Sequence, residues 1–194
     1  MDDARFNRIL IGIVLIAIVA ISALAYFIGM HEPGPEQELV RYGLYEFERQ
    51  GPVYVLDYQK DMSIYTIHFT YLPDEVLDIP VYGTLRGFRE PIHLSFDPEM
   101  SEQDKAHTQK AFYDISRKLI GIYGHTPRTA CTHEHPECGD APIMTCETGS
   151  GMVVYPSQEP RIVFEERCAT VYASGEDIVR AEHLISYLLL GIIR

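Results

Sequence analysis

Basic residues are scarce in this chain of 194 residues, which holds 16 Lys and Arg against 28 Asp and Glu and has a net charge of −12. Because such a surface repels phosphate groups, we expect no binding to nucleic acid or to anionic lipid headgroups. Asparagine occurs once, at Asn7, and Arg-Ile follows it, so the sequence has no N-x-[ST] acceptor for a glycan. Tryptophan is absent, and 13 tyrosines supply most of the aromatic side chains.

Charge is also missing from one long stretch, residues 9–30, which reads ILIGIVLIAIVAISALAYFIGM. A helix of this length extends roughly 33 Å, enough to cross the hydrocarbon core of a bilayer. We therefore predict a transmembrane helix over residues 9–30, in contact with the lipid bilayer. The alternative is a signal peptide cut after residues 23–25 (Ala-Leu-Ala). We favour an uncleaved signal anchor, because the apolar run exceeds a usual signal-peptide core and continues beyond that point.

The basic residues that flank this stretch predict its orientation. Arg5 and Arg8 precede it, whereas the first basic residue after it is Arg41. The positive-inside rule then places residues 1–8 in the cytoplasm and residues 31–194 outside the cell membrane. In this single-pass arrangement residues 31–35 (HEPGP) form a linker, and residues 36–194 form one extracytoplasmic domain.

All four cysteines lie in the C-terminal part of the chain, at Cys131, Cys138, Cys146 and Cys168. An even number of cysteines in an exported domain indicates disulfide bonds, because that compartment is oxidising. Four cysteines allow three pairings, between which the sequence does not decide. We favour Cys131–Cys138, which closes a small loop in a turn-rich stretch, together with Cys146–Cys168, which joins a loop to a strand.

The pattern of apolar residues predicts an α+β fold. The first expected elements are a helix over 36–49, two strands that turn near Lys60-Asp61 and a strand over 91–97. A helix capped by Ser101 then ends at Gly124, and a loop covers 125–151. Strands over 152–155 and 161–173 precede the last helix, over 177–193, which Ser174 caps. This order suggests a small antiparallel or mixed sheet packed by two or three helices and stapled by disulfides. The last helix has little polar face, so it is buried on most sides or mediates self-association or binding to a partner protein.

The most chemically suggestive segment is the loop over 125–138, in which Cys131, His133, His135 and Cys138 follow His125. Thiolates and neutral imidazoles are the natural ligands of Zn²⁺, but the spacing C-x-H-x-H-x₂-C matches no zinc motif. Oxidised cysteines would leave His125, His133 and His135, a set compatible with copper. We favour a disulfide-closed loop and keep a zinc or copper site on these three histidines as the alternative.

No catalytic residue can be assigned from the sequence. Residues 148–151 (Thr-Gly-Ser-Gly) lack the first glycine of a G-x-S-x-G elbow, and a nucleophilic cysteine would have to stay reduced outside the cytoplasm. The chain is therefore more consistent with a binding or assembly protein of the cell envelope than with an enzyme. The alternatives are an extracytoplasmic metal-binding protein or a hydrolase centred on residues 125–138.

Three segments after the membrane span carry a resemblance to a known group of proteins. They read FTYLPDEVLDIPVYG, RIVFEERCATVYASG and EDIVRAEHLISYLLLGII. Together with the apolar run they resemble uncharacterised single-pass membrane proteins of archaea, especially of small-genome lineages. The resemblance implies an anchored, exported domain. It implies no activity and no site residue, because the group has none assigned.

Overall fold

A computed structural model of the protein describes residues 17–22 and 38–193. Residues 17–22 are helical and exposed, and the rest of the predicted span 9–30 and the linker 31–35 lie outside the described residues. Among the residues that are described, none of the helices combines the length and the apolar character needed to cross a bilayer. The chain divides into two compact units, Met1–Gln37 and Glu38–Arg194, and the second contains the elements described below.

The second unit is α+β, as the sequence predicts, but its strands form two sheets instead of one. The helices are α1 (Glu102–Tyr123) and α2 (Glu176–Leu189), and 3-10 helices cover Pro73–Glu75 and Pro136–Cys138. The strands are β1 (Leu39–Tyr42), β2 (Tyr45–Gln50), β3 (Val53–Lys60), β4 (Ser63–Phe69), β5 (Val81–Leu85), β6 (Ile92–Phe96), β7 (Arg128–Cys131), β8 (Ser150–Tyr155), β9 (Arg161–Glu166) and β10 (Cys168–Tyr172).

The first sheet is an antiparallel meander in the order β1-β2-β3-β4. The predicted tight turn near Lys60-Asp61 is confirmed, since Lys60 pairs with Ser63 across it. The predicted helix over 36–49 is wrong, because this segment forms β1 and β2 around a turn at Gly43 (φ 58°). In the hairpin Phe47 is fully buried while Leu44 is 98% exposed. Pairing of β2 with β3 therefore outweighs the helical spacing of the apolar residues.

The second sheet has the order β5-β9-β10-β8-β6-β7, and its neighbouring strands run parallel except for the β9–β10 pair. The single strand predicted over 161–173 is wrong, because the chain reverses at Glu166 (φ 49°) to form β9 and β10. The predicted loop over 125–151 contains one further strand, β7, beside β6. Helix α1 connects β6 to β7, as a crossover between parallel strands requires.

The N-terminal caps of the two helices differ from each other. Ser101 caps α1 as predicted, since its Oγ accepts a hydrogen bond from the Asp104 backbone N–H at 3.1 Å. The predicted cap at Ser174 is wrong: Gly175 occupies the cap position, and the Ser174 hydroxyl accepts from the Ser157 N–H. The Gly175 N–H donates to the Asp104 carboxylate at 2.7 Å. This bond links the start of α2 to the start of α1.

Helix α2 is buried over most of its length, which explains its lack of a polar face. Ile178, Leu184, Ile185 and Tyr187 are each at most 2% exposed. Tyr187 stacks on Phe69 of the first sheet, with ring centroids 4.4 Å apart. The helix thus fills the core of its own domain, and only its C-terminal turn retains partly exposed apolar side chains among those described.

Candidate functional site

Both favoured disulfide pairs are formed, Cys131–Cys138 with Cα atoms 6.2 Å apart and Cys146–Cys168 with Cα atoms 5.3 Å apart. The first joins the end of β7 to the 3-10 helix at Pro136–Cys138, and the second joins the following loop to the start of β10. All four cysteines are therefore oxidised. None of them is free to act as a nucleophile or as a thiolate ligand.

The three histidines of the 125–138 segment have separate partners. His125 Nδ1 lies 3.2 Å from the Glu90 carboxylate, His133 Nδ1 lies 3.1 Å from the Thr132 hydroxyl, and His135 Nδ1 accepts from the Glu137 N–H at 3.3 Å. Among the described residues, this trio is not one of the groups whose ligand atoms all lie within 4.8 Å of one another. A metal held by all three would require the loop to rearrange.

A different group forms around His133. Its imidazole and the carboxylates of Asp97 and Glu99 have ligand atoms within 4.8 Å of one another, and His133 Nε2 is 4.0 Å from a Glu99 oxygen. Asp97 follows β6 and His133 follows β7, so the group lies where two adjacent parallel strands end. One imidazole with two carboxylates is a donor set suited to a divalent transition metal. Sequence analysis missed Asp97 and Glu99 because it did not predict β7.

A second polar group is buried between the two helices. Lys118 Nζ lies 2.9 Å from Glu182 Oε1, and the Ser186 hydroxyl donates to the same oxygen at 2.5 Å. The side chains of Lys118 and Glu182 are 8% and 0% exposed. Burial raises the pKa of the Glu182 carboxyl, and the positive charge of Lys118 opposes this shift. The sequence signal is a charged residue in each apolar stripe, such as Lys118 three positions after Ile115.

His183, next to Glu182 in α2, is held neutral in the same core. Burial lowers its pKa well below the ordinary value, and the positive charge of Lys118 adds to this effect. The Tyr71 N–H donates to Nδ1 at 3.4 Å, so the proton of the neutral ring is assigned to Nε2, 3.6 Å from Glu182 Oε2. A protonated Nε2 offers no lone pair to a metal. We therefore interpret this cluster as a polar core that joins the helices to the first sheet.

The strand β5 forms one edge of the six-stranded sheet and contains no charged residue. The Ile162 N–H donates to the Pro80 carbonyl at 2.9 Å, and the Arg86 N–H donates to the Glu166 carbonyl at 2.8 Å. Alternate residues of a parallel strand face its neighbour. The backbone groups of the odd-numbered residues from 81 to 85 therefore point away from β9, toward the side on which no described strand pairs with β5.

The opposite edge of this sheet, at β7, is covered by the chain itself. The Cys131 N–H donates to the Pro142 carbonyl at 3.0 Å, and the Met144 N–H donates to the Cys131 carbonyl at 2.8 Å. Natural proteins usually protect edge strands with such a cover, with charges or with proline, because a bare edge pairs with other chains. Within β5 itself neither a charge nor a proline is present.

An apolar groove of about 790 Å³ lies between β5 and the C-terminal turn of α2. Its apolar lining includes Leu77, Val81, Leu85, Leu188, Leu189 and Ile193. The turn is held by two tyrosines, since the Tyr123 hydroxyl donates to the Leu189 carbonyl at 2.7 Å and the Tyr58 hydroxyl donates to the Leu190 carbonyl at 3.0 Å. Burial raises the pKa of Tyr123 to about 12, so this hydroxyl stays a donor even at an alkaline pH at which an ordinary tyrosine ionises.

The groove and the β5 edge together form the best candidate binding site among the described residues. A glycine is needed within it, because a Cβ on Gly83 (φ 80°) would lie 2.2 Å from the Phe164 carbonyl oxygen. Sequence analysis did not find this site, since the edge position of β5 depends on its pairing with β9, some 80 residues later. Comparison with protein-family models, curated proteins and solved structures finds no match to this chain.

Proposed function

We propose that this protein is a membrane-anchored, extracytoplasmic binding or assembly module of the cell envelope that binds a partner chain along β5. The observation that carries the proposal is an uncharged edge strand, which no other described strand covers, beside an apolar groove. The outer location is supported by the oxidation of all four cysteines, since disulfides persist in oxidising compartments. Anchoring is supported by the uncharged residues 9–30.

The mode of binding that fits this surface is the addition of a strand. An extended segment placed beside β5 would pair with the outward backbone groups of Val81, Gly83 and Leu85, and alternate side chains of that segment would enter the groove. Main-chain hydrogen bonds would provide affinity, and the apolar lining would favour hydrophobic residues.

The proposed surface can be tested by site-specific photo-crosslinking in cells that express the full chain. A benzoylphenylalanine replaces Tyr82 on β5, and in the matched control it replaces Tyr113 on α1; these side chains are 57% and 63% exposed. We expect a discrete crosslinked product from position 82 and none of that size from position 113. Equal labelling from both positions, or no product from either, would contradict binding at the β5 edge.

The proposed location needs a separate test. After expression of the full chain, we expect it to stay in the membrane fraction through an alkaline wash, with its C-terminal domain digested by protease added outside intact spheroplasts. Under denaturing, non-reducing conditions its cysteines should resist alkylation. A soluble protein with four free thiols would refute both the anchor and the extracytoplasmic location.

Metal binding is a second candidate function, favoured by the convergence of Asp97, Glu99 and His133. We propose that zinc or copper, if bound, is held there instead of on the three histidines of the loop. Elemental analysis after incubation with each metal should show loss of binding in His133→Ala and retention in the control His125→Ala. Equal retention in both variants, or no metal in the unmodified protein, would exclude this site.

A further inference from the structure

We infer that the chain bound along β5 is the β5 strand of a second copy of this protein, antiparallel and centred on Gly83. This inference rests on the proposed function, because it uses the same edge and groove. A strand that pairs with its own copy about a two-fold axis must be compatible with its own reversed sequence. The residues of β5 and their flanks meet this condition.

The register centred on Gly83 brings suitable residues into opposition. Val81 lies opposite Leu85 of the second copy, and Tyr82 lies opposite Thr84. The backbone groups that face outward belong to residues 81, 83 and 85, so each meets another outward-facing residue. Aliphatic pairs and an aromatic side chain opposite a β-branched one are favourable cross-strand neighbours. The two-fold axis generates every such pair twice.

Charge complementarity also favours a second copy, although the whole chain is acidic. Asp74, Glu75 and Asp78 precede β5, whereas Arg86 and Arg89 follow it, before Glu90, and all six are exposed. Antiparallel pairing places the basic flank of one copy beside the acidic flank of the other, with Arg86 diagonal to Asp78. Asp78 also pairs with Arg180 of its own chain. The exposed Glu165 and Glu166 lie one strand away, on β9, and charges farther than about 8 Å are screened at physiological salt.

The groove supplies the apolar contact that backbone pairing lacks. A two-fold axis perpendicular to the sheet keeps equivalent faces on the same side, so the two grooves lie next to each other. Leu188 and Leu189, partly exposed in one copy, then lie near the same residues of the other. A stable homodimer buries an apolar centre of this kind. The six-stranded sheets of the two copies become one continuous sheet.

A charge-exchange experiment tests this register in the full chain, purified in a mild detergent, with the molar mass of the particle measured by light scattering. We expect two copies per particle for the unmodified protein. In the variant Tyr82→Lys/Thr84→Lys the lysine at position 82 of each copy faces the lysine at position 84 of the other, and this repulsion should weaken dimerisation about tenfold or more. The variant Tyr82→Glu/Thr84→Lys opposes unlike charges in this register and should restore the dimer.

The control variant Leu44→Lys/Met62→Lys adds the same two charges at the tips of the β1–β2 and β3–β4 hairpins, where the native side chains are 98% and 99% exposed. It should remain dimeric. A monomeric unmodified protein that crosslinks to a different chain at position 82 would overturn self-pairing and leave the binding edge intact. A monomer without any crosslink would overturn both proposals. A dimer that survives Tyr82→Lys/Thr84→Lys would place its interface elsewhere.

Discussion

The buried ion pair between Lys118 and Glu182 gives the sharpest prediction for stability. Replacement of Lys118 by Met removes the ammonium group that lies 2.9 Å from the Glu182 carboxylate and leaves that carboxylate buried with a hydrogen bond from Ser186. Breaking a buried pair in this way typically costs about 3–5 kcal/mol. We expect the free energy of unfolding of Lys118→Met to fall by an amount in this range near neutral pH.

The size of the loss should depend on pH. Without Lys118, the Glu182 carboxyl can become neutral by binding a proton, because burial already raises its pKa. Each pH unit changes the free energy of that protonation by about 1.4 kcal/mol. The defect of Lys118→Met should therefore shrink as the pH is lowered toward the ordinary pKa of glutamate. The double variant Lys118→Met/Glu182→Gln removes the charge altogether and should recover most of the loss at neutral pH.

Urea unfolding of the full chain in detergent, with the disulfides intact and tyrosine near-ultraviolet circular dichroism as the signal, measures these differences. Arg41→Met is the control, because its ion pair with Glu46 is exposed and should contribute no more than about 1 kcal/mol. The reasoning would be refuted if Lys118→Met behaved like this control. It would also be refuted if the double variant lost as much stability as the two single variants combined.

Three further predictions concern His183, the disulfides and two glycines. Burial lowers the pKa of His183, so its stabilising contribution is complete above the ordinary pKa of histidine and is lost as the pH falls below it. In urea unfolding at a series of pH values, the free energy of unfolding of His183→Gln should therefore decline less steeply toward acid pH than that of the unmodified protein. An unchanged decline would contradict this. Replacing Cys146 and Cys168 by Ser should lower the free energy of unfolding by about 3 kcal/mol, and replacing Cys131 and Cys138 by Ser should lower it by about 2 kcal/mol. The difference arises because Cys131–Cys138 closes the shorter loop, and a reversed order would contradict this. Gly121→Ala, in an open helical position, should stabilise the fold by about 0.5–1 kcal/mol and so raise the midpoint of thermal unfolding. Gly151→Ala should prevent folding, because the added Cβ would lie 1.8 Å from the His93 carbonyl oxygen.

Features that depend on neighbouring residues could be predicted from the sequence. The cap at Ser101 and the left-handed end at Gly124 arise from interactions within one turn of α1, so a short motif is sufficient to indicate them. The alternating residues of β4 and the even number of cysteines are equally local or compositional signals. The near absence of a polar face on α2 predicted either burial or contact with a partner, because an apolar surface on all sides must be covered, and the structure shows burial.

The tertiary structure decided every feature whose partner lies far along the chain. Residues 39–50 have apolar residues at helical spacing, yet pairing with β3 and burial of Phe47 outweigh a helical preference of only a few tenths of a kcal/mol per residue. The same applies to the edge position of β5, which β9 determines, and to the approach of Lys118 to Glu182 across the two helices. A sequence shows which residues need partners, and the fold determines which partners they obtain.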